Sequence, residues 1–75
     1  MNFEIEFDRE VDGRWIAEIP AIPGVIVYGA TQLQAGAKAK ALALRVLADR
    51  MENEDSIPDI NSIAFASHHE SVAVN

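Results

Sequence analysis

The sequence predicts a single α+β domain with the element order β-β-β-α-β. Apolar and acidic residues alternate at the start of the chain, as in a half-buried strand. Asp-Gly and Pro-Gly turns divide the next two apolar segments, and an Ala- and Leu-rich helical segment follows a capping box. We therefore expect an antiparallel sheet with one long helix packed on it. The expected elements are strands at about residues 2–8, 14–19 and 24–29, a helix at about 32–52, a strand at about 60–67 and a tail at 68–75.

The first two strands are predicted from alternation and from the turn between them. Phe3, Ile5 and Phe7 are predicted to face the core, because acidic residues separate them. Asp12-Gly13 supplies a tight turn, since glycine accepts a positive φ without steric cost. In the second strand Trp15 shares a face with other apolar residues, which favours a core anchor over an exposed interface residue.

The third strand follows a second turn. Pro23-Gly24 fits the central positions of a type II turn, where proline presets φ and glycine takes a positive φ. The uninterrupted apolar run at 25–28 then predicts a strand that is buried on both faces or central in the sheet.

The helix is predicted to begin after a capping box. The Thr31 hydroxyl would accept from the Gln34 amide, while the Gln34 side chain would reach back to the Thr31 amide. Gly36 is the weak position, and it either permits a close helix–helix approach or is simply tolerated.

Two apolar stripes run along the predicted helix, although packing on a small sheet needs only one. The second stripe therefore predicts self-association. The first stripe consists of Ala35, Ala39, Leu42 and Val46, and the second consists of Leu33, Ala37, Leu44, Ala48 and Met51.

Size and charge limit the classes of function. A chain of 75 residues forms one domain of marginal stability, and without cysteine it has neither disulfides nor thiolate metal sites. The net charge of -6 disfavours direct binding to nucleic acid, favours a basic protein partner and also suits a merely soluble small domain. Neither a signal peptide nor a membrane span is visible, so we expect a cytoplasmic protein.

Several motifs in a fixed order resemble the N-terminal domain of HicB-type antitoxins. They are Phe-x-Ile-x-Phe near the start, the segment 12–17, Pro20-x-x-Pro23-Gly24, Gly29-x-Thr31 and Gln34-Ala35. The resemblance covers residues 3–58 and extends more weakly to the final strand. Family members often have Glu-Glu-Ala or Glu-Ala where this chain has Gln34-Ala35, which keeps the cap but loses a charge.

The resemblance implies a partial, degenerate RNase H-like fold and a non-enzymatic antitoxin. Its partner would be a small basic HicA-type toxin, an mRNA-cleaving ribonuclease, which the antitoxin binds and neutralises. Many members also carry a DNA-binding segment. We expect this chain to be a short form without one, so that autoregulation by this polypeptide is not expected.

Acidic residues of the first two strands are the candidate partner interface. Catalytic carboxylates must converge in a pocket, whereas these alternate with core residues along a surface strand, so a catalytic role is disfavoured. A solvated face remains the simpler alternative. The candidate interface residues are Glu4, Glu6, Asp8 and Glu18.

No catalytic, metal-binding or cofactor-binding residues are predicted. His68-His69-Glu70 invites a metal hypothesis, but adjacent residues of a strand point to opposite faces, so the two imidazoles would not converge on one ion. The leading hypothesis is a toxin-neutralising protein. The alternatives are an orphan self-associating scaffold without a toxin and, from fold kinship alone, an RNA-processing enzyme, for which we expect no cleavage.

Overall fold

Three strands precede the helix and one follows it. The computed structural model describes residues 1–53 and 62–67. The predicted class and element order are confirmed. The start of the predicted last strand and the predicted tail at 68–75, with its two histidines, lie outside the described residues. The elements are β1 (Asn2–Arg9), β2 (Trp15–Glu18), β3 (Ile26–Gly29), α1 (Gln32–Asn53) and β4 (Ala64–Ser67).

The four strands form one mixed sheet in the order β3-β2-β1-β4. β2 is antiparallel to both of its neighbours, whereas β4 pairs parallel with β1. The expectation of a purely antiparallel sheet is therefore wrong for its last strand. The physical reason is the connection through α1, because a helical crossover returns β4 in the direction of β3. β3 runs in the same direction as β1, since β2 is antiparallel to both.

β3 is an edge strand, so the prediction of a central or doubly buried third strand is wrong. Ile26 and Tyr28 are 51% and 43% exposed. Val25, just before the strand, is buried and Val27 is half-buried. The strand order decides this outcome, because an apolar run looks the same in sequence at the edge and in the middle of a sheet.

Both predicted turns form, and each depends on a glycine in the left-handed region. Gly13 has φ +93° and donates its N–H to the Glu10 carbonyl at 2.9 Å, while the Glu10 N–H donates to the Arg14 carbonyl at 2.8 Å. The hairpin loop thus has three residues, 11–13. The N–H of Arg14 also donates to Asp12, and this backbone hydrogen bond is the largest cause of the lowered pKa of that carboxyl.

At the second turn the Val25 N–H donates to the Ile22 carbonyl at 3.1 Å, and Gly24 has φ +93°. This is the predicted type II turn.

The helix cap forms with one difference. The Gln34 N–H donates to Thr31 Oγ1 at 3.0 Å, as predicted. The Gln34 side chain, however, accepts from the N–H of Ala30 at 2.6 Å instead of from Thr31. The carboxamide therefore stabilises the residue before the cap, which ties the end of β3 to the first turn of α1.

α1 lies on the sheet along a line that matches the predicted first stripe only in part. Ala35 and Ala39 of that stripe are fully buried, whereas Leu42 and Val46 pack at the margin of the core. Ala43 and Leu47, which belong to neither predicted stripe, are buried as well. The small alanine side chains let the helix axis approach the sheet closely. This side of α1 meets the apolar sides of the strands, so the predicted inward faces of β1 and β2 are confirmed. The buried strand and turn residues are Phe3, Ile5, Ala17, Ile19, Ile22 and Val25.

Two glycines mark where the helix and the sheet come closest. A Cβ built on Gly29 would lie 2.5 Å from the backbone nitrogen of Ala35. One built on Gly36 would lie 3.1 Å from Cζ of Phe7. Gly36 therefore serves a close approach to the sheet, and not the helix–helix approach considered from the sequence.

Trp15 belongs to the core margin, as predicted. It is half-buried and packs edge-on against Phe7, with ring centroids 6.5 Å apart and an interplanar angle of 82°. The Arg9 guanidinium lies over the indole at 5.3 Å from its centroid.

Candidate protein-binding surfaces

The face of the sheet that points away from α1 is uncovered among the described residues. We call it the open face. Because side chains alternate along a strand, its members follow from the core positions and the strand register. They are Asn2, Glu4, Glu6, Asp8, Ile16, Glu18, Ile26, Tyr28, Ala64 and Ala66.

The structure brings the four predicted acidic interface residues together on the open face. β1 contributes Glu4, Glu6 and Asp8, all exposed. Glu18 of β2 is the register partner of Glu6, so these two carboxylates lie directly opposite each other on neighbouring strands. Like charges in this arrangement destabilise a sheet. The acidic residues of the open face therefore lower the stability of the free protein.

Five of the six basic residues lie away from the open face, and the exception is Arg14, whose guanidinium stacks on Tyr28. All six Lys and Arg residues fall within the described part, and four of them belong to α1, on the other side of the sheet. Arg14 pairs with Asp12 at 2.9 Å, and it is the one salt bridge within residues 1–53 and 62–67. Neither Glu6 nor Glu18 therefore has a Lys or Arg partner from its own chain.

Apolar residues lie beside the acidic ones on the open face. In the register, Ile26 is opposite Glu18 and Tyr28 is opposite Ile16. The Arg14 guanidinium stacks over the Tyr28 ring at 4.5 Å, which restrains the aromatic side chain. A depression of about 280 Å³ lies among Glu6, Asp8, Ile16, Glu18 and Ile26.

Ile26 and Tyr28 are the candidate interface residues that sequence reasoning missed. Both were assigned to a buried strand. In the sequence Ile26 and Tyr28 alternate with Val25 and Val27. All four residues are apolar or aromatic, so no polar residue distinguished the outer side of the strand from the inner side.

A groove beside α1 forms a second candidate surface. It has a volume of about 640 Å³ and lies between the first half of the helix and strands β1 and β4. Ile5 and Phe65 contribute on the strand side, and Leu33, Ala37 and Lys40 on the helix side. The fully buried alanines hold α1 over β2 and β3, so none of the described residues covers this half of the sheet.

The second apolar stripe of the helix points away from the core, and its first two residues, Leu33 and Ala37, line this groove. Leu33 is 85% exposed and Leu44 is 47% exposed. Ala37 and Ala48 are also exposed, whereas Met51 is half-buried. The structure thus leaves the predicted self-association residues accessible, apart from the partial cover of Met51.

Within residues 1–53 and 62–67, no three His, Cys, Asp or Glu side chains are arranged to hold a metal ion. His68-His69-Glu70 lies outside that region. No helix in the described part is long and apolar enough to cross a membrane.

Comparison with known proteins does not identify a relative. A scan against protein-family models, a search of curated proteins and a search of solved structures each found no match. The fold and surfaces define a small α+β domain with an acidic open sheet face and an apolar groove beside its helix. The resemblance to HicB-type antitoxins stays a prediction.

Proposed function

We propose that this chain is a non-enzymatic, antitoxin-like protein of the cytoplasm that binds and neutralises a small basic mRNA-cleaving toxin of the HicA type. The observation that carries the proposal is the open face, where Glu4, Glu6, Asp8 and Glu18 gather on one exposed surface. The resemblance of the sequence motifs supplies the kind of partner.

The charge distribution supports a basic protein as partner. The open face attracts cations, and the chain has no Lys or Arg to neutralise Glu6 and Glu18. Complementary potentials accelerate encounter and select between partners. The same charge repels nucleic-acid phosphates, so the protein would act on the toxin and not on its RNA substrate.

The direct test is co-expression with the small basic protein encoded by the neighbouring reading frame. We expect the two chains to co-purify and the growth arrest caused by the basic protein to be relieved. Glu18→Lys should abolish both effects, because it places a cation in the centre of the acidic face. Glu52→Lys makes the same change of charge at the exposed end of α1 and should leave both effects intact.

The proposal is wrong if the wild-type chain neither co-purifies with that protein nor relieves the arrest. It is wrong in its choice of surface if Glu18→Lys and Glu52→Lys behave alike. Both variants need a circular dichroism spectrum that shows the folded state.

The second candidate function is a self-associating scaffold without a toxin. The row of exposed apolar residues along one side of α1, which includes Leu33 and Leu44, favours it, since contiguous exposed apolar surface often marks contacts between molecules. Sedimentation equilibrium of the wild-type chain and of Leu33→Ser/Leu44→Ser tests it. A wild-type chain that stays monomeric at micromolar concentration would exclude this function.

A further inference from the structure

We propose that the open face binds an amphipathic helix that carries Lys or Arg along one edge and apolar side chains along the other. The identity of the molecule that supplies this helix rests on the proposed function. The fit of the surface rests on the sheet register and on the charges of the described residues.

The open face has an acidic column and an apolar column. Glu6 and Asp8 lie on β1, while Ile26 and Tyr28 lie on β3. β2 runs between them and contributes one residue of each kind, Glu18 and Ile16. Neighbouring strands are about 4.8 Å apart, so β1 and β3 are separated by roughly 10 Å. This is about the diameter of an α-helix with its side chains, so one helix lying along β2 contacts both columns.

The pairing of Glu6 with Glu18 indicates where the basic edge of that helix lies. The two carboxylates face each other without a Lys or Arg of the chain between them. One basic side chain placed there offsets the repulsion and forms charge-assisted hydrogen bonds with both carboxylates. The apolar edge then covers Ile26 and the exposed side of Tyr28, whose ring Arg14 already restrains.

A helix fits this region better than a strand added to the β3 edge. The carbonyl of Tyr28 already accepts a hydrogen bond from Lys38 Nζ at 3.1 Å. The N–H of Ile26 donates to the Gly24 carbonyl at 3.1 Å. Because these backbone groups have partners within the chain, the edge offers an incoming strand an incomplete ladder, and the lysine is a common device against edge pairing.

A designed peptide tests the surface without the toxin. The probe has about 18 residues, enough for five helical turns, with Leu and Lys spaced so that they form two separate faces in a helix. A peptide of the same composition in scrambled order is the control. We expect the amphipathic peptide to shift the backbone amide resonances of Glu6, Ile16, Glu18, Ile26 and Tyr28, and the scrambled peptide to bind at least about tenfold more weakly.

Paired variants separate the two columns. Ile26→Ser/Tyr28→Ser should weaken peptide binding about tenfold with the salt dependence unchanged, whereas Glu6→Gln/Glu18→Gln should weaken it and also reduce the salt dependence. Leu33→Ser/Leu44→Ser removes two exposed apolar residues from the other side of the protein and should bind like the wild type. Amide spectra of the free variants confirm that each remains folded.

The inference is overturned if the peptide does not bind, if its shifts map to the groove, or if the three paired variants lose affinity equally. The outcomes distinguish it from the proposed function. If the peptide binds and the neighbouring basic protein does not, the proposed toxin partner is wrong and the proposed helix-binding surface stands. If that protein binds Ile26→Ser/Tyr28→Ser with full affinity, the proposed function stands and the proposed two-column binding surface is wrong.

Discussion

The two faces of the four-stranded sheet differ in packing and in charge. On the covered face, α1 packs through fully buried alanines, and Gly29 and Gly36 have little space for added atoms. On the open face, two glutamates oppose each other across neighbouring strands, and Ile26 and Tyr28 are about half exposed. Stability comes from the first face. The opposed carboxylates and exposed apolar side chains of the second face do not stabilise the free domain.

This difference shows where function is to be sought. A chain of 75 residues has little stability to spare, so like charges placed opposite each other suggest selection for binding. Substitutions on the covered face should destabilise the fold, whereas substitutions on the open face should change binding and leave the fold intact or more stable. The following variants test that contrast.

Gly29→Val should have the largest effect. Its Cβ would lie 2.5 Å from the nitrogen and 2.8 Å from Cα of Ala35, and backbone atoms cannot rotate away. We expect the free energy of unfolding to fall by about 3 kcal/mol or more, enough to unfold much of a marginal domain. Urea denaturation followed by Trp15 fluorescence measures it. Ala30→Val, at the exposed next position, should stay within about 0.5 kcal/mol of the wild type.

Two leucines of α1 give a matched comparison of its inner and outer sides. Leu47 is 3% exposed and Leu44 is 47% exposed. Leu47→Ala should lower the free energy of unfolding by about 2–3 kcal/mol, because it removes buried methyl groups and leaves a cavity. Leu44→Ala should cost under about 1 kcal/mol. Equal losses in thermal unfolding of dilute, monomeric samples would show that the outer stripe is already packed.

Thr31→Ala tests the junction between β3 and the helix. It removes the hydroxyl that accepts from the Gln34 N–H and should cost about 1 kcal/mol of unfolding free energy. Thr31→Ser keeps the acceptor and should remain close to the wild type. If both variants lose the same stability, packing of the threonine methyl group, and not the cap, is what matters.

Glu18→Gln should have the smallest effect and the opposite sign. Removal of one of the two opposing charges should raise the free energy of unfolding by about 0.2–0.5 kcal/mol at low salt. The gain should largely vanish near 1 M NaCl, where the screening length is about 3 Å. Glu10→Gln, beside the hairpin loop and opposite Arg14, is the control and should show no such salt-dependent gain. A destabilised Glu18→Gln would contradict our account of the open face.

Sequence reasoning succeeded where the determining interactions are local. The alternation of Phe3, Ile5 and Phe7, the two glycine turns and the Thr31 cap each act within a few residues, and all of them form. It failed where strand order matters. The parallel pairing of β4 and the edge position of β3 depend on where α1 returns the chain, and no residue within either strand encodes that.

The candidate site divides in the same way. Its acidic members were predicted correctly as exposed residues of alternating strands, since a period of two assigns them to one face. Ile26 and Tyr28 were missed because an apolar residue reveals its exposure only when its neighbours in space are known. The groove was missed because it is the part of the sheet that one helix, held close by alanines, leaves uncovered.

The sequence by itself thus determined the elements, their turns and caps, the inward side of each early strand and the acidic character of the outer one. Only the tertiary structure decided which side of α1 meets the sheet, which strands lie at its edges, and that Glu6 and Glu18 lie opposite each other. The physical reason is range. Turns, caps and alternation arise from contacts between residues close in the chain, whereas strand order and register result from packing across the whole domain.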